Sequence, residues 1–508
     1  MGNGKISCTF QRVITRRKFL VGGAALAATA CTRKVTPVSA PPTVTHGLQV
    51  GDVGGGRALV WGRASEASRL LLEWDTTDKF TKPRAVQGPV VTPESGLAAT
   101  VAIDGLPDGQ TIFVRGRFER EAQRGASNAE IVKFQTPRSD KFRLAWTGDT
   151  CGQGFGRNPD FGGLVGYKAM REAQPALWVH SGDMIYADNP ILAEMKIGDR
   201  VWKNVTNENV ARVAQTLADY RARYQYTLDD DHARALAAEV PIVAQWDDHE
   251  IHNNWWPHQH LRLEDPRYTI EDDASVLAAF ARRAMLEWTP APPGLVQRVV
   301  HYGPLMDIIV MDCRSFRTPN PTGSGDAEML GAAQVAWLID AIATSKARWK
   351  VIACDQPLGV VIGDGPDNTR REGFADGDPG THGREVELAK ILSELKRRGV
   401  KNMVWITADV HYAVAHRYDP TRATFHDFDP FWELVAGPIH AGSFGPNKLD
   451  PTFGPEATFV WAPEHQNAAP WDGFQSFGTI DVTADALTCA LVGIDGKPRH
   501  TFDIPYAG

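Results

Sequence analysis

The run Val240-Pro241-Ile242-Val243-Ala244-Gln245-Trp246-Asp247-Asp248-His249-Glu250 decides how this chain is read. Its first half has the length and apolar composition of a buried strand. Its second half gathers three carboxylates around one imidazole, a charge density that an apolar core tolerates only with a cation or extensive hydrogen bonding. The same transition recurs three times. Phe142-Arg143-Leu144-Ala145-Trp146 leads into Gly148-Asp149-Thr150-Cys151, Leu177-Trp178-Val179-His180 into Gly182-Asp183-Met184-Ile185-Tyr186, and Asn402-Met403-Val404-Trp405-Ile406 into Asp409-Val410-His411. Open α/β folds collect ligands beyond the carboxyl ends of their strands, so the four endings are expected to converge although residues 149 and 411 are distant in sequence.

Each ending carries ligand chemistry. Asp149 and Cys151 sit two apart, so both are expected to reach one ion, and a hard carboxylate beside a soft thiolate suits iron or zinc better than magnesium. A buried Cys after a strand also reads simply as core. Asp183 is placed to bridge two ions, and a phenolate at Tyr186 favours ferric iron; a Gly-Asp pair at a strand end also serves as a turn or helix cap. Asn253 and Asn254, just after the acidic run, offer amides to a hard ion such as calcium, while Trp255, Trp256, Trp461 and Trp471 are candidates to wall an apolar entrance. Asp409 and His411 repeat the two-apart geometry. Arg314 is a candidate to pair with a substrate oxyanion through its planar fork, with an ordinary salt bridge as the alternative.

Outward from these motifs, residues 140–508 alternate buried strands with helical stretches at Ala211 to Arg223, Ala274 to Trp288, Ala332 to Thr344 and Arg384 to Arg398, which is α/β patterning. Residues 43–137 read instead as short alternating strands, for example Ala58-Leu59-Val60-Trp61 and Thr111-Ile112-Phe113-Val114-Arg115, separated by turns at sandwich-like spacing. The predicted fold is a layered α/β/α domain preceded by a small all-β, fibronectin-like sandwich. Long Gly/Pro/Asp-rich stretches, Thr318 to Asp326 and Gly363 to Gly383, are expected to be active-site loops. With 508 residues, 43% hydrophobic content and a net charge of −7, the chain offers no extended basic surface, and a nucleic-acid partner is not expected.

The first 30 residues read as an export signal. Lys5, Arg12, Arg16, Arg17 and Lys18 precede the apolar stretch Phe19 to Ala30, which is too short to span a bilayer. Thr15-Arg16-Arg17-Lys18-Phe19-Leu20 is similar to a twin-arginine signal, which implies the twin-arginine machinery as a partner and a periplasmic or secreted location. Cleavage after Ala28-Thr29-Ala30 leaves Cys31 first, so a lipid anchor and ordinary secretion both stay open, with residues 31–42 as a linker. The remaining cysteines, Cys151, Cys313, Cys354 and Cys489, are not spaced as a disulfide framework.

Gly182-Asp183-Met184-Ile185-Tyr186, Trp246-Asp247-Asp248-His249-Glu250 with Asn253-Asn254, Leu330-Gly331-Ala332-Ala333-Gln334-Val335-Ala336-Trp337-Leu338, and Asp409-Val410-His411 together resemble the signature blocks of the PhoD-type alkaline phosphatase family within the metallophosphoesterase superfamily. The resemblance implies an exported phosphoric ester hydrolase that uses ferric iron with calcium, zinc or manganese being the alternatives. It implies that Cys151, Asp183, Tyr186 and His411 hold iron with Asp183 shared, and that Asp409 with an amide of Asn253 or Asn254 serves calcium. Asp149 matches the superfamily's first carboxylate, Asp248 stands where a metal-binding Asn is common, and His249 matches the His that faces the scissile phosphate. The expected reaction is in-line attack of a metal-activated hydroxide on a phosphate mono- or diester, with a phospholipase D-like phosphodiesterase as the alternative and a non-catalytic envelope binding protein as a remoter one. Two departures stand out: the Gly-rich surroundings of Cys151, and Cys313 in place of a small polar residue.

Overall fold

The computed structural model describes residues 40–120, 126–294, 296–365 and 367–508. The export signal, Cys31 and the linker up to residue 39 therefore lie outside the described residues. Pro41–Gly508 is one compact unit.

Two large mixed sheets make up its centre. The first has nine strands in the order Pro498–Pro505, Ala486–Gly493, Ser476–Thr483, Lys141–Thr147, Leu177–Ser181, Ile242–Gln245, Val44–Gly54, Arg57–Ala64 and Ala98–Asp104. Lys141–Thr147, Leu177–Ser181 and Ile242–Gln245 run parallel, so their carboxyl ends emerge side by side. The second sheet has seven strands, among which Met306–Val310, Trp349–Ala353, Met403–Thr407 and Phe431–Val435 are parallel.

Strand alternation explains why the β layer is double. Successive side chains on a strand face opposite ways, and here both faces are buried. Val351, Ala353, Val404 and Ile406 share one core with Leu144, Trp146 and Val179 of the first sheet. Ile352 and Trp405, one residue out of phase, share a second core with Leu338 and Leu392, which lie on the helices Gly331–Thr344 and Glu385–Arg397. The indole Nε1 of Trp146 donates to the Thr407 carbonyl at 3.3 Å, tying the sheets together near the site. Each such fully buried aliphatic side chain contributes roughly 1.5–3 kcal/mol. The layered α/β architecture read from the sequence is present, with two facing sheets between the helices.

The N-terminal strands are not confined to a sandwich of their own. Ser68–Asp75, Arg84–Val91, Thr111–Glu119 and Glu130–Gln135 form a four-stranded sheet, but Val44–Gly54 joins the nine-stranded sheet through the parallel register Gly51 to Ile242. The helix predicted from Ala211 starts later, at Leu217. Thr216 caps it by accepting from the Asp219 amide and Asp219 reaches back, so the chain before residue 216 stays irregular. Among the described residues no helix is long and apolar enough to cross a membrane.

Candidate metal centre

All four acidic endings meet above the carboxyl ends of Lys141–Thr147, Leu177–Ser181, Ile242–Gln245 and Met403–Thr407. The chain turns there in the left-handed region: φ is +67° at Asp149, +54° at Asp183, +67° at Asp409 and +62° at His411. Non-glycine residues are disfavoured in that region, and such strain persists only where the surroundings over-determine it. The surroundings do so here. Glu250 accepts from the backbone amides of Asp183 (3.1 Å), Met184 (2.6 Å) and Asp247 (2.7 Å), locking two strand ends to one carboxylate. Asp183 Oδ1 in turn accepts from the His249 amide at 3.0 Å. Gly182 permits the close approach, because a Cβ there would lie 2.4 Å from the Asp247 Cβ. Gly152 lies against the Tyr186 ring, where a Cβ would come within 2.5 Å of Cζ, which gives the Gly-rich loop a steric reason.

Three sets of ligand atoms lie mutually within 4.8 Å: Asp149, Asp183 and His411; Asp183, Asp248 and His249; and Asp247, Asp248 and Asp409. Asp183 belongs to two of them, the sharing expected of a bridging carboxylate. His411 is pre-set as a ligand, since its Nδ1 lies 2.5 Å from the Gly442 carbonyl, which fixes the proton there and leaves Nε2 as an acceptor. Nε2 is 3.2 Å from Asp149 Oδ1 and 2.7 Å from the Tyr186 hydroxyl, placing the phenol within the first set.

The electrostatics fit resident cations. Asp183 is pushed well above the usual carboxylate range by burial and then by Asp248, Asp247, Glu250 and Asp149. Burial, Asp247, Glu372 and Asp248 do the same to Asp409. Asp149 Oδ2 is buried without a hydrogen-bond partner. Oxygens that repel one another in a desolvated cleft, with an imidazole and a phenol alongside, form a donor set that is relieved by divalent or trivalent ions.

His249 stands beside Asp183 and Asp248 at the cavity wall. Its Nδ1 is 2.8 Å from Asp188 Oδ1 and its ring stacks on Tyr186 at 4.1 Å. Burial opposes a charge on the ring, but Asp188 and Asp248 outweigh it and the imidazole is pushed up to about 9. The cluster floors a cavity of about 650 Å³ whose walls include Gln153, Asn253, Asn254, Arg371, Phe444 and Asn447. Asn254 holds Asp248 with its amide N–H (2.6 Å), and Asn253 holds Asp188 in the same way (3.1 Å).

Three expectations are corrected. Cys151 is not drawn into the cluster: it belongs to the apolar core, burial pushes its thiol up to about 12, and no metal-ligand set among the described residues contains it. The reason lies in the turn, whose backbone N–H at Cys151 is fixed on the His440 carbonyl at 2.6 Å. Arg314 does not face the cavity. It is fully buried beneath the site, 2.5 Å from Asp247 and 2.6 Å from Glu372, and burial of its guanidinium is outweighed by these carboxylates. None of the four indoles lines the cavity: Trp255 packs on Trp246, Trp256 lies under Arg370, Trp461 under Arg499 and Trp471 under Arg200.

Asp188 and Glu372 are the functional neighbours the motifs did not single out. Asp188 lies two residues past Tyr186, so its proximity was a usable signal. Glu372 is far away in sequence and became visible only through the fold.

A double-sheet α/β core whose strand ends hold a paired carboxylate and histidine cluster defines the metallophosphoesterase class. Residues 144–491 match the family described as PhoD-like phosphatase, and residues 28–136 match its N-terminal domain. The chain belongs to the PhoD-like phosphatase family and is a phosphoric ester hydrolase. It is 23% identical over 432 residues to alkaline phosphatase D of Bacillus subtilis (strain 168), a match covering 78% of this chain and 71% of that protein. A solved structure of PhoD superposes with a TM-score of 0.67 at 20% identity, over 92% of this chain and 90% of that one. Purple acid phosphatase PPD1 from yellow lupin (Lupinus luteus) seeds shares the fold at a TM-score of 0.58 and 12% identity, over 91% of this chain and 74% of that one.

Proposed function

We propose that this chain is an exported hydrolase of phosphate monoesters and diesters with a two-ion centre built on Asp183. The observation that carries the reading is the pair of ligand sets overlapping at that carboxylate. Asp149, Asp183, Tyr186 and His411 would hold one ion, and the phenol beside an imidazole favours ferric iron there. Asp183, Asp248 and Asp409 would hold the other through oxygen alone, which suits calcium. Bound ions of this kind supply Lewis acidity and lower the pKa of water from about 15.7 toward about 7.

The chain's own residues do the rest. Asp188 fixes the His249 ring and sustains its proton, so that His249 can hold a phosphate oxygen and donate to the departing ester oxygen. Asn254 and the Glu250 clamp keep Asp248 and Asp183 in register. The cavity has room for a second ester arm, and its Asn and Gln lining supports soluble esters over lipid chains. The twin-arginine reading of residues 1–30 supports the periplasm or the outside of the cell as its location, with a lipid at Cys31 as a variant of that proposal.

The test combines metal analysis of the purified protein with hydrolysis of paired aryl phosphate mono- and diesters. Iron with calcium, turnover of both esters, and a visible phenolate-to-iron band lost in Tyr186→Phe are expected. A metal-loaded protein inert toward both esters would sink the proposal.

A further inference from the structure

Outside the catalytic cluster, sharing no residue with it, Asp376, His382 and Glu385 offer ligand atoms all within 4.8 Å of one another. They lie where the Gly363 to Gly383 loop enters the helix Glu385–Arg397, and Asp450 closes the group from another loop. Asp376 is 6% exposed, Glu385 0% and Asp450 1%.

Their hydrogen bonding leaves ligand atoms over. Asp376 Oδ1 accepts from the Asp378 amide at 2.8 Å, and Glu385 Oε2 from the His382 amide at 3.4 Å. Asp450 is used on both oxygens, by the amides of Gly377 (2.6 Å) and Thr452 (2.7 Å). What remains without a hydrogen bond is Asp376 Oδ2, Glu385 Oε1 and His382 Nδ1, with Nδ1 3.5 Å from Asp376 Oδ2. The adjacent cations do not neutralise the carboxylates. Lys448 Nζ is bonded to the Gly377 carbonyl, Arg371 Nε to the Asp376 carbonyl, and Arg384 is turned toward Asn320 and the Glu372 carbonyl. Burial, then the charges of Asp450 and Asp376, push Glu385 up to about 9, and the Asp450 carboxylate lies close enough to share the proton this would place on Glu385 in the absence of an ion. Buried polar atoms without partners in a native fold require an explanation, and three converging on one point have a simple one.

We propose that Asp376, His382 and Glu385 bind a divalent cation of borderline character, zinc, at a second site. One imidazole nitrogen with carboxylate oxygens matches that class better than magnesium. The ion would fasten the loop to the helix and to the Asp450 turn. The same loop supplies Gly363, Asn368 and Arg371 to the wall of the catalytic cavity, so this site holds the pocket's shape without entering the chemistry.

The test is zinc content by mass spectrometry after incubation with Zn2+ and gel filtration. The set is the wild type, His382→Ala, Glu385→Gln, Asp183→Asn and the Asp183→Asn/His382→Ala double variant. His382 is partly exposed, so its truncation is expected to leave the fold intact. His382→Ala and Glu385→Gln should each hold one equivalent less than wild type, the double variant one less than Asp183→Asn, and added Zn2+ should raise the Tm of wild type more than that of His382→Ala. Equal metal content in wild type and His382→Ala overturns the proposal. So does a Glu385→Gln protein more stable than wild type with unchanged metal, which is the result expected if Glu385 and Asp450 merely share a proton. Both comparisons hold whether or not the catalytic centre carries iron and calcium.

Discussion

Two layers of carboxylates lie one above the other at the strand ends, and they are treated differently. In the upper layer Asp149 and Asp183 meet His411 with no guanidinium in the set, and the Tyr186 hydroxyl lies 2.7 Å from His411. In the lower layer Asp247 and Glu372 enclose Arg314, and Arg317 lies 2.8 Å from Glu372. Burial works against the Glu372 carboxylate, but Arg314 and Arg317 outweigh it and hold it below the ordinary range. The comparison separates two uses of buried charge. Glu372, held by two guanidinium groups, is a structural charge; Asp149 and Asp183, whose ligand set holds none, are reserved for an ion; Asp247 stands between the two uses, 2.5 Å from Arg314 yet within ligand distance of Asp248 and Asp409.

Breaking the upper layer should have the largest effect. Asp183→Asn removes the carboxylate common to two ligand sets, so turnover of an aryl phosphate should fall by about 10³-fold or more while both ions are lost. A variant that keeps its metals and its rate would end the distinction between the layers. In the lower layer the expected damage is to stability: Arg314→Met leaves Asp247 buried without its guanidinium and takes from Glu372 one of its two, at a cost of about 3–5 kcal/mol in urea unfolding. If Arg314→Met folds as well as wild type and loses only substrate affinity, Arg314 belongs to the site after all.

Asp188→Asn sharpens the comparison at the wall. With Asp188 present, His249 is held protonated up to about 9; without it the proton leaves at lower pH. The alkaline limb of kcat/KM should therefore shift to lower pH, with a loss of about 10–100-fold at the original optimum. An unchanged pH profile would remove His249 as the proton donor. The smallest effect is assigned to Cys151→Ala. It should cost about 1–2 kcal/mol of packing and leave iron, calcium and the visible spectrum unchanged; loss of iron would restore the thiolate as a ligand.

Much of the site was legible because its signal is local. An apolar run followed by acidic residues marks a buried strand and its carboxyl end, and Asp149, Asp183, Asp248, Asp409 and His411 were all read from that transition. The helix Ala274–Trp288 was legible for the same reason, with Asp273 capping it at the Ser275 amide (2.8 Å). Direction was not legible. The reading that Asp149 and Cys151 serve one ion rested on spacing, but the left-handed turns at both residues (φ +67° and +64°) break the simple alternation of a strand. Arg314 was misread because a guanidinium near a phosphate site and one neutralising the floor beneath it look alike until burial is known.

By itself, then, the sequence determined the class of chemistry, since residue types fix which atoms can ligate, titrate or donate, and apolar periodicity fixes where strands end. The tertiary structure decided which of those atoms meet. It folded Val44–Gly54 into the nine-stranded sheet, turned Cys151 into the core, set Arg314 beneath Asp247 and brought Glu372 to it from afar. Such choices depend on desolvation and on long-range pairing, which act between residues that are neighbours only once the chain has closed on itself.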